Sequence, residues 1–459
     1  MYSLVFQRVR HSTLYYACAL DLKLTGLYEA SVTELQAEWP VGISSPSTLL
    51  RKAYLARIEE TAALDEEREH SGKRSAMHGI PVLVDSIGTF ASEGISSALL
   101  RFSTSESNEF GVSMNTTGGS YSLLGSIVPD DSGVVKRLWQ RVQFTPGKRK
   151  TNLSEFAHSR GTLADRLSGR GGQCTSAYFS RASPCGSSSD SGVAASIGLA
   201  AVTLGTETDG SITCPTNNHN IAGIKPSVGP TSRVGVIPAS EHQDSIGLMT
   251  RSVVDAAIVP SVIAGPNPTL VQPLPVPNYT KALNKNALRE AYWSASSLGA
   301  TDVDPADIPL SSDIISSKNG TETLVLVQIS KICLNAYFAP RSKTLPAYVR
   351  SLNSSNTTMI TKVSKSLRGT KTKASWCPDT LSDKEMGTTR GIDAALQTYN
   401  LDALVLPSQG FVSATPVPMG FYPEDVTIGI AGPETVYPAP GVPIGLSFFG
   451  TGFSEFELI

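Results

Sequence analysis

The stretch from Gly171 to Ala222 constrains this chain more than any other part of it. It opens a serine-rich turn, GSSSDSG (186–192), and continues through the small residues Gly192, Ala195, Ser196 and Gly198, which suit a closely packed helix running to Ala201. A short apolar run comes next, and then a second turn, GTETDGS (205–211). Turn, small-residue helix, strand and turn in that order describe one unit of alternating helix and sheet. Ser187 and Ser211 lie 24 residues apart, one in each turn. Gly205 and Gly210 supply the backbone freedom a tight second turn needs. The N–H groups of Thr208, Asp209, Gly210 and Ser211 can then converge on one point, as stabilisation of a developing oxyanion requires. The partial positive charge at the start of a helix after Ser187 favours loss of a hydroxyl proton. A serine-rich turn by itself is more often a plain loop. Two of them, joined by helix and strand, make these serines candidates for a nucleophile and its relay.

The rest of the chain reads as the surroundings of that unit. Residues 46–64 give the clearest helix, with Ser45 as cap, Pro46 in the first turn, and Leu50, Tyr54, Ile58 and Ala62 on one face. Residues 79–88 read as a buried strand entering a polar turn, 130–140 as a helix, and 323–329 and 401–406 as buried strands. Residues 95–113 match nothing around them and read as a mobile surface insertion, while 264–320, rich in Pro, Ser and Asn, reads as an exposed loop region. The alternation predicts an α/β fold: one domain over residues 1–459, with a large mixed central sheet covered by helices on both sides. With 38 basic against 40 acidic residues, no electrostatic footprint for nucleic acid or an acidic membrane is visible. No apolar run approaches the roughly 18 residues that would span a bilayer, and the cytoplasm is the favoured compartment. The six cysteines show no CxxC pair and no metal-ligand spacing, so they read as mostly buried thiols, with neither metal nor cofactor implied.

From Gly171 to Ala257 the chain resembles the amidase signature family. The residues that carry the resemblance are GSSSDSG, AAVTLGTETDGSITCPT, GIKPSVG, SRVGVIP and HQDSIGLMTRSVVDAA. HGIPVLV (78–84), MNTTGGS (114–120), KTNLSEFA (150–157) and VYPAPGVPIGLSFFG (436–450) agree as well. The resemblance implies a Ser–cisSer–Lys triad that hydrolyses a small-molecule amide. In that triad Ser211 matches the acylated nucleophile and Ser187 the bridging serine. The backbone of Thr208, Asp209, Gly210 and Ser211 matches the oxyanion donors.

The third member of the triad is where the pattern breaks. The family places a lysine directly after the strand, whereas here Pro81, Val82, Leu83 and Val84 are followed by Asp85, Ser86 and Ile87. An aspartate with an ordinary pKa near 4 is a poor base, and general-base assistance is worth about 10²–10⁴ in rate. Ser189 and Asp190 stand where the family has a glycine pair, and RVQFTPGKR (141–149) replaces an expected apolar strand. Such a cluster of departures fits either a decayed paralogue or a chain read from misassigned exons. Three readings compete: an amidase impaired by the missing lysine, a catalytically silent protein that still binds a carbonyl or amide, and a serine esterase using His78, His219 or His242. The esterase reading lacks a GxSxG elbow.

Overall fold

The computed structural model describes residues 69–73, 75–78, 80, 82–84, 118–119, 131–142, 167–168, 172–265, 276–283, 303–311, 321–338, 385, 387–407, 415–432 and 435–459. The helix expected at 46–64, the insertion at 95–113, Asp85 and the KTNLSEFA segment lie outside the described residues.

In chain order the elements are β1 (Val82–Val84), α1 (Gly133–Val142), β2 (Leu167–Ser168), β3 (Gly172–Gln173), α2 (Ser189–Ser196) and β4 (Val202–Glu207). Then come α3 (Thr213–Asn217), β5 (Ala222–Ile224), β6 (Ser245–Thr250) and α4 (Val253–Ile263), with a 3₁₀ turn at Tyr279–Leu283. The chain closes with α5 (Thr321–Phe338), a π-helical turn at Thr388–Ile392, α6 (Asp393–Tyr399), β7 (Leu404–Pro407), β8 (Thr415–Phe421), β9 (Pro443–Phe449) and α7 (Glu455–Leu458). Among the described residues four strands form the central sheet in the order β1-β4-β6-β5; β1 runs parallel to β4, and the other pairs are antiparallel. The sheet is therefore mixed, as an α/β fold of this type requires. A second, antiparallel sheet has the order β7-β9-β8.

Strand alternation decides which helices cover which face of the central sheet. Val82, Val202, Leu204, Ile246 and Leu248 share one apolar cluster with Val134, Val135 and Leu138 of α1 and with Ala256, Val259 and Val262 of α4. The intervening residues face the other way. Met249 packs with Ala195 of α2 and with Ile212 and Ile221, while Leu83 packs with Ala194 and Ala200. Burying a leucine such as Leu204 completely is worth about 1.5–3 kcal/mol. On the second face polar stitching adds to packing: Ser191 Oγ donates to the Leu204 carbonyl at 2.8 Å, and Thr203 Oγ1 donates to the Ser191 carbonyl at 3.1 Å. Gly192 permits the close approach of α2 to α3, because a Cβ there would lie 3.1 Å from the Pro215 Cβ.

Several expectations are corrected. Residues 323–329 are part of the 18-residue helix α5, not a strand. Their consecutive apolar residues carry no period that separates strand from helix. The buried pair Ile329 and Cys333, four residues apart, marks one helical face. The small-residue helix α2 ends at Ser196, short of Ala201, because Gly198 turns the chain with φ +75°. The region 264–320 is not uniformly exposed: Tyr279 is buried, and Val276, Ala282 and Leu283 pack against the main core. The helix expected at 130–140 is α1, and the buried strand expected at 401–406 is β7, shifted by a few residues and buried at Leu404 but exposed at Leu406 and Pro407. No helix among the described residues is long and apolar enough to cross a membrane.

Candidate active site

Strand β4 delivers the chain into the GTETDGS turn, and its last residue organises the loop beyond it. Glu207 is buried, and its Oε1 accepts the Gly210 N–H at 2.9 Å while Oε2 accepts the N–H groups of Ile212 at 2.6 Å and Thr213 at 2.8 Å. The Thr213 hydroxyl reaches Oε1 at 3.4 Å. One carboxylate thus satisfies amides at the start of α3 that have no partner within the helix. Gly210 adopts φ +81° to close the turn.

The serine turn lies against this loop. The Ser188 N–H donates to the Ser211 carbonyl at 3.2 Å. The Ser188 hydroxyl donates to the Thr206 carbonyl and accepts the Thr206 N–H, both at 3.3 Å. Gly205 allows that contact, since a Cβ there would lie 2.7 Å from Ser188 Oγ. The Ser189 hydroxyl bonds back to the Cys185 carbonyl, and the Gly186–Ser187 peptide is cis. Ser189 and Asp190 form the first turn of α2, where an acidic side chain complements the helix dipole.

The two candidate serines are both buried, Ser187 at 0 % and Ser211 at 5 % exposure. No hydrogen bond joins their hydroxyls, and the Ser187 Oγ is a buried oxygen with no hydrogen-bond partner among the described residues. Of the four amides expected to hold an oxyanion, that of Gly210 is committed to Glu207. A cavity of about 390 Å³ opens beside Thr208, lined among others by Arg233, Val236, Ile237, His242 and Asp244.

A second carboxylate secures the other end of the loop. Asp244 accepts the Thr208 hydroxyl at 2.6 Å through Oδ1 and the amides of Ala239 and Ser240 at 2.8 and 2.9 Å through Oδ2. Its pKa is raised, chiefly by burial, against the lowering effect of those donors. Lys225 donates to the Gln243 carbonyl at 3.1 Å. Burial pulls its pKa down, and the charges of Glu207, Asp244 and Asp209 push it back up.

The cysteines depart from expectation. Cys185 and Cys214 are joined by a disulfide, with Cα atoms 5.7 Å apart, instead of being separate thiols. The bond ties the residue two before Ser187 to the residue three after Ser211. Spacing of 29 residues carries no sequence signature for such a pair, which exists because the two turns meet in space. Cys174 and Cys333 are buried free thiols, as expected. Burial, and then the charge of Asp190, push the Cys174 thiol up to about 12.

No histidine among the described residues takes up the position of a base on either serine. The His219 ring is fully buried behind α3, with Nδ1 2.7 Å from the Pro215 carbonyl, and burial lowers its pKa to about 4. His242 is half exposed beside Glu241 at 3.7 Å. The His219 shift has a consequence for stability. The unfolded chain takes up a proton near pH 6.5 while the folded chain stays neutral down to about 4, so stability declines as pH falls through that window and levels off below it. The expected loss is on the order of 3 kcal/mol. Urea midpoints between pH 7 and 4 check this. A His219→Gln variant should lose that part of the slope, and an unchanged slope would show that another group causes it.

Glu207, Asp244 and Lys225 were not singled out from the sequence. The one local signal was an acidic residue closing the apolar strand directly before the turn. Ser187, Ser211 and the turn amides are brought together by the fold, whereas the position after Val84 lies outside the described residues.

Residues 112–309 match the sequence profile of the Amidase family. A probable amidase of Arabidopsis thaliana is 33% identical over 440 residues, covering 87% of this chain and 78% of that protein. The solved peptide amidase of Stenotrophomonas maltophilia superposes with a TM-score of 0.73 at 30% identity, covering 94% of this chain and 95% of that one. The solved amidase family protein of Bacillus anthracis shares the fold, with a TM-score of 0.74 at 23% identity over 95% of this chain and 90% of its own.

Proposed function

Since the chain belongs to the amidase family of amide hydrolases, we propose that it cleaves carboxamide C–N bonds slowly, through an acyl-enzyme on Ser211. The observation that carries this reading is the junction of the two turns, where the Ser188 N–H meets the Ser211 carbonyl and sets Ser187 beside the nucleophile loop. In the proposed reaction the Ser211 oxygen attacks the amide carbonyl, its proton passes to the Ser187 oxygen, and Ser187 gives its own proton to the amide nitrogen. The carbonyl oxygen gathers charge near the amides of Thr208, Asp209 and Ser211, with the Gly210 amide fixing the loop. Collapse of that adduct breaks the C–N bond, the amine leaves with the proton, and water then releases the acid. The substrate we assign is a small carboxamide or the amidated end of a peptide, the latter suggested by the peptide amidase likeness.

The rate is limited by the proton's route. Among the described residues Ser187 Oγ has no hydrogen-bond partner, and Asp85 stands where the family has its lysine. The same observation favours a second reading, in which the chain binds a carbonyl or amide without turnover. A serine esterase finds less support, because His219 is engaged with Pro215. Incubation with a fluorophosphonate, followed by peptide mapping, tests the nucleophile: Ser211 should carry the label. Labelling elsewhere, or nowhere, removes Ser211 from that role.

A further inference from the structure

The nucleophile loop encloses a carboxylate that the acyl-transfer steps do not use. Glu207 is 1 % exposed, and the three amides it collects are those of Gly210, Ile212 and Thr213. Two of these bracket Ser211, one immediately before it and one immediately after. The Ile212 N–H belongs to the peptide plane that follows Ser211, and the Gly210 carbonyl, in the plane that precedes it, accepts the Cys214 N–H at 3.0 Å, so with Gly210 anchored by Glu207 both planes about Ser211, and with them its Cα–Cβ bond and N–H, are held. Further contacts hold the frame. Asp244 pins Thr208 at the near end of the loop, and the Lys225 ammonium stands within electrostatic reach of Glu207, Asp209 and Asp244. The loop is therefore suspended from two carboxylates, and Glu207 is the one that flanks the reacting residue.

We propose that Glu207 is the positioning residue of the nucleophile loop, aiming the Ser211 hydroxyl and N–H at the substrate carbonyl through the bonds on either flank. It touches no substrate atom and acts only through Ser211, so this assignment rests on the nucleophile reading above. A Glu207→Gln change keeps the volume but replaces one acceptor oxygen with an NH₂ group facing N–H donors, and at least one of the three bonds is lost. Loss of one oxyanion donor costs about 10²–10³ in rate, and misdirecting Ser211 acts on the same donor.

The experiment is a time course of fluorophosphonate labelling on the full chain, followed by intact mass, for wild type, Glu207→Gln and Glu207→Asp. The labelling rate at saturating probe should fall about 100-fold in Glu207→Gln, while the half-saturating probe concentration stays unchanged. Glu207→Asp keeps both acceptor oxygens on a shorter arm and should recover part of the rate. A Glu207 that serves folding alone would lower the melting temperature yet leave the folded fraction labelling at the wild-type rate, and that result overturns the proposal. Should Glu207→Gln fail to fold, Glu207→Asp carries the same test: slower labelling at saturation supports the role, and an unchanged rate overturns it. A wild-type chain that never labels at Ser211 is a different outcome. It removes the nucleophile assignment, and the positioning role falls with it.

Discussion

Inserting a lysine between Val84 and Asp85 is expected to raise amide turnover by at least about 100-fold, the low end of general-base assistance. The strand register gives the physical reason. Val84 pairs with Leu204 in the parallel β1–β4 ladder, two residues before Thr206 on the neighbouring strand. Thr206 is where the Ser188 hydroxyl docks, one residue from Ser187. A lysine inserted after Val84 is expected to reach toward the serine turn, where the buried setting of Ser187 and Ser188 favours the neutral amine a base must be. The measurement is kcat on an amidated dipeptide. Methionine inserted at the same position controls for lengthening of the loop, and the lysine insertion in a Ser211→Ala background should show none of the gain. An unmodified chain that already turns over at about 1 s⁻¹, typical of working enzymes, would mean that another residue supplies the base.

Removing the disulfide should produce the largest change in stability. Cys185 and Cys214 are separated by 29 residues, and a loop of that size restricts the unfolded chain by about 3–4 kcal/mol on the chain-entropy account. Replacing both cysteines with alanine should lower the urea midpoint accordingly. Reductant should shift the wild type toward the same value and leave the double variant where it is. Identical midpoints for oxidised, reduced and doubly substituted protein would show that the two sulfurs are not bonded in solution.

How much of the molecule is legible in its sequence depends on the range over which each feature is determined. The two serine turns are local: Gly205, Gly210 and the small residues of α2 mark them within a few positions, but α2 ends short at Ser196 and the Gly210 amide turns to Glu207 instead of converging with its neighbours. The Thr323–Ile329 run misleads because its apolar residues are consecutive, and only the length of the whole segment marks it as helical. Tyr279 sits in a stretch that reads as loose loop, since its anchor is a core formed by residues far away in the chain. The role of Glu207 is of the same kind. An acidic residue ending a strand looks exposed until the turn beyond it folds back and aims three amides at its oxygens.

The link between α3 and the C-terminal sheet bears on how the chain is made. The Asn217 side chain accepts the Gly445 N–H and donates to the Tyr437 hydroxyl, across 228 and 220 residues respectively. The Ser227 N–H is likewise taken up by Glu455, 228 residues on. A ribosome adding about 5–20 residues per second leaves Asn217 waiting roughly 10–45 s before Gly445 exists. Throughout that interval the segment bearing Ser211 has been synthesised, but the strand that completes its far side has not. The nascent signature block therefore meets the cell with a polar, unfinished edge, and a ribosome stalled anywhere short of residue 445 releases a chain in which Asn217 has no strand to hold.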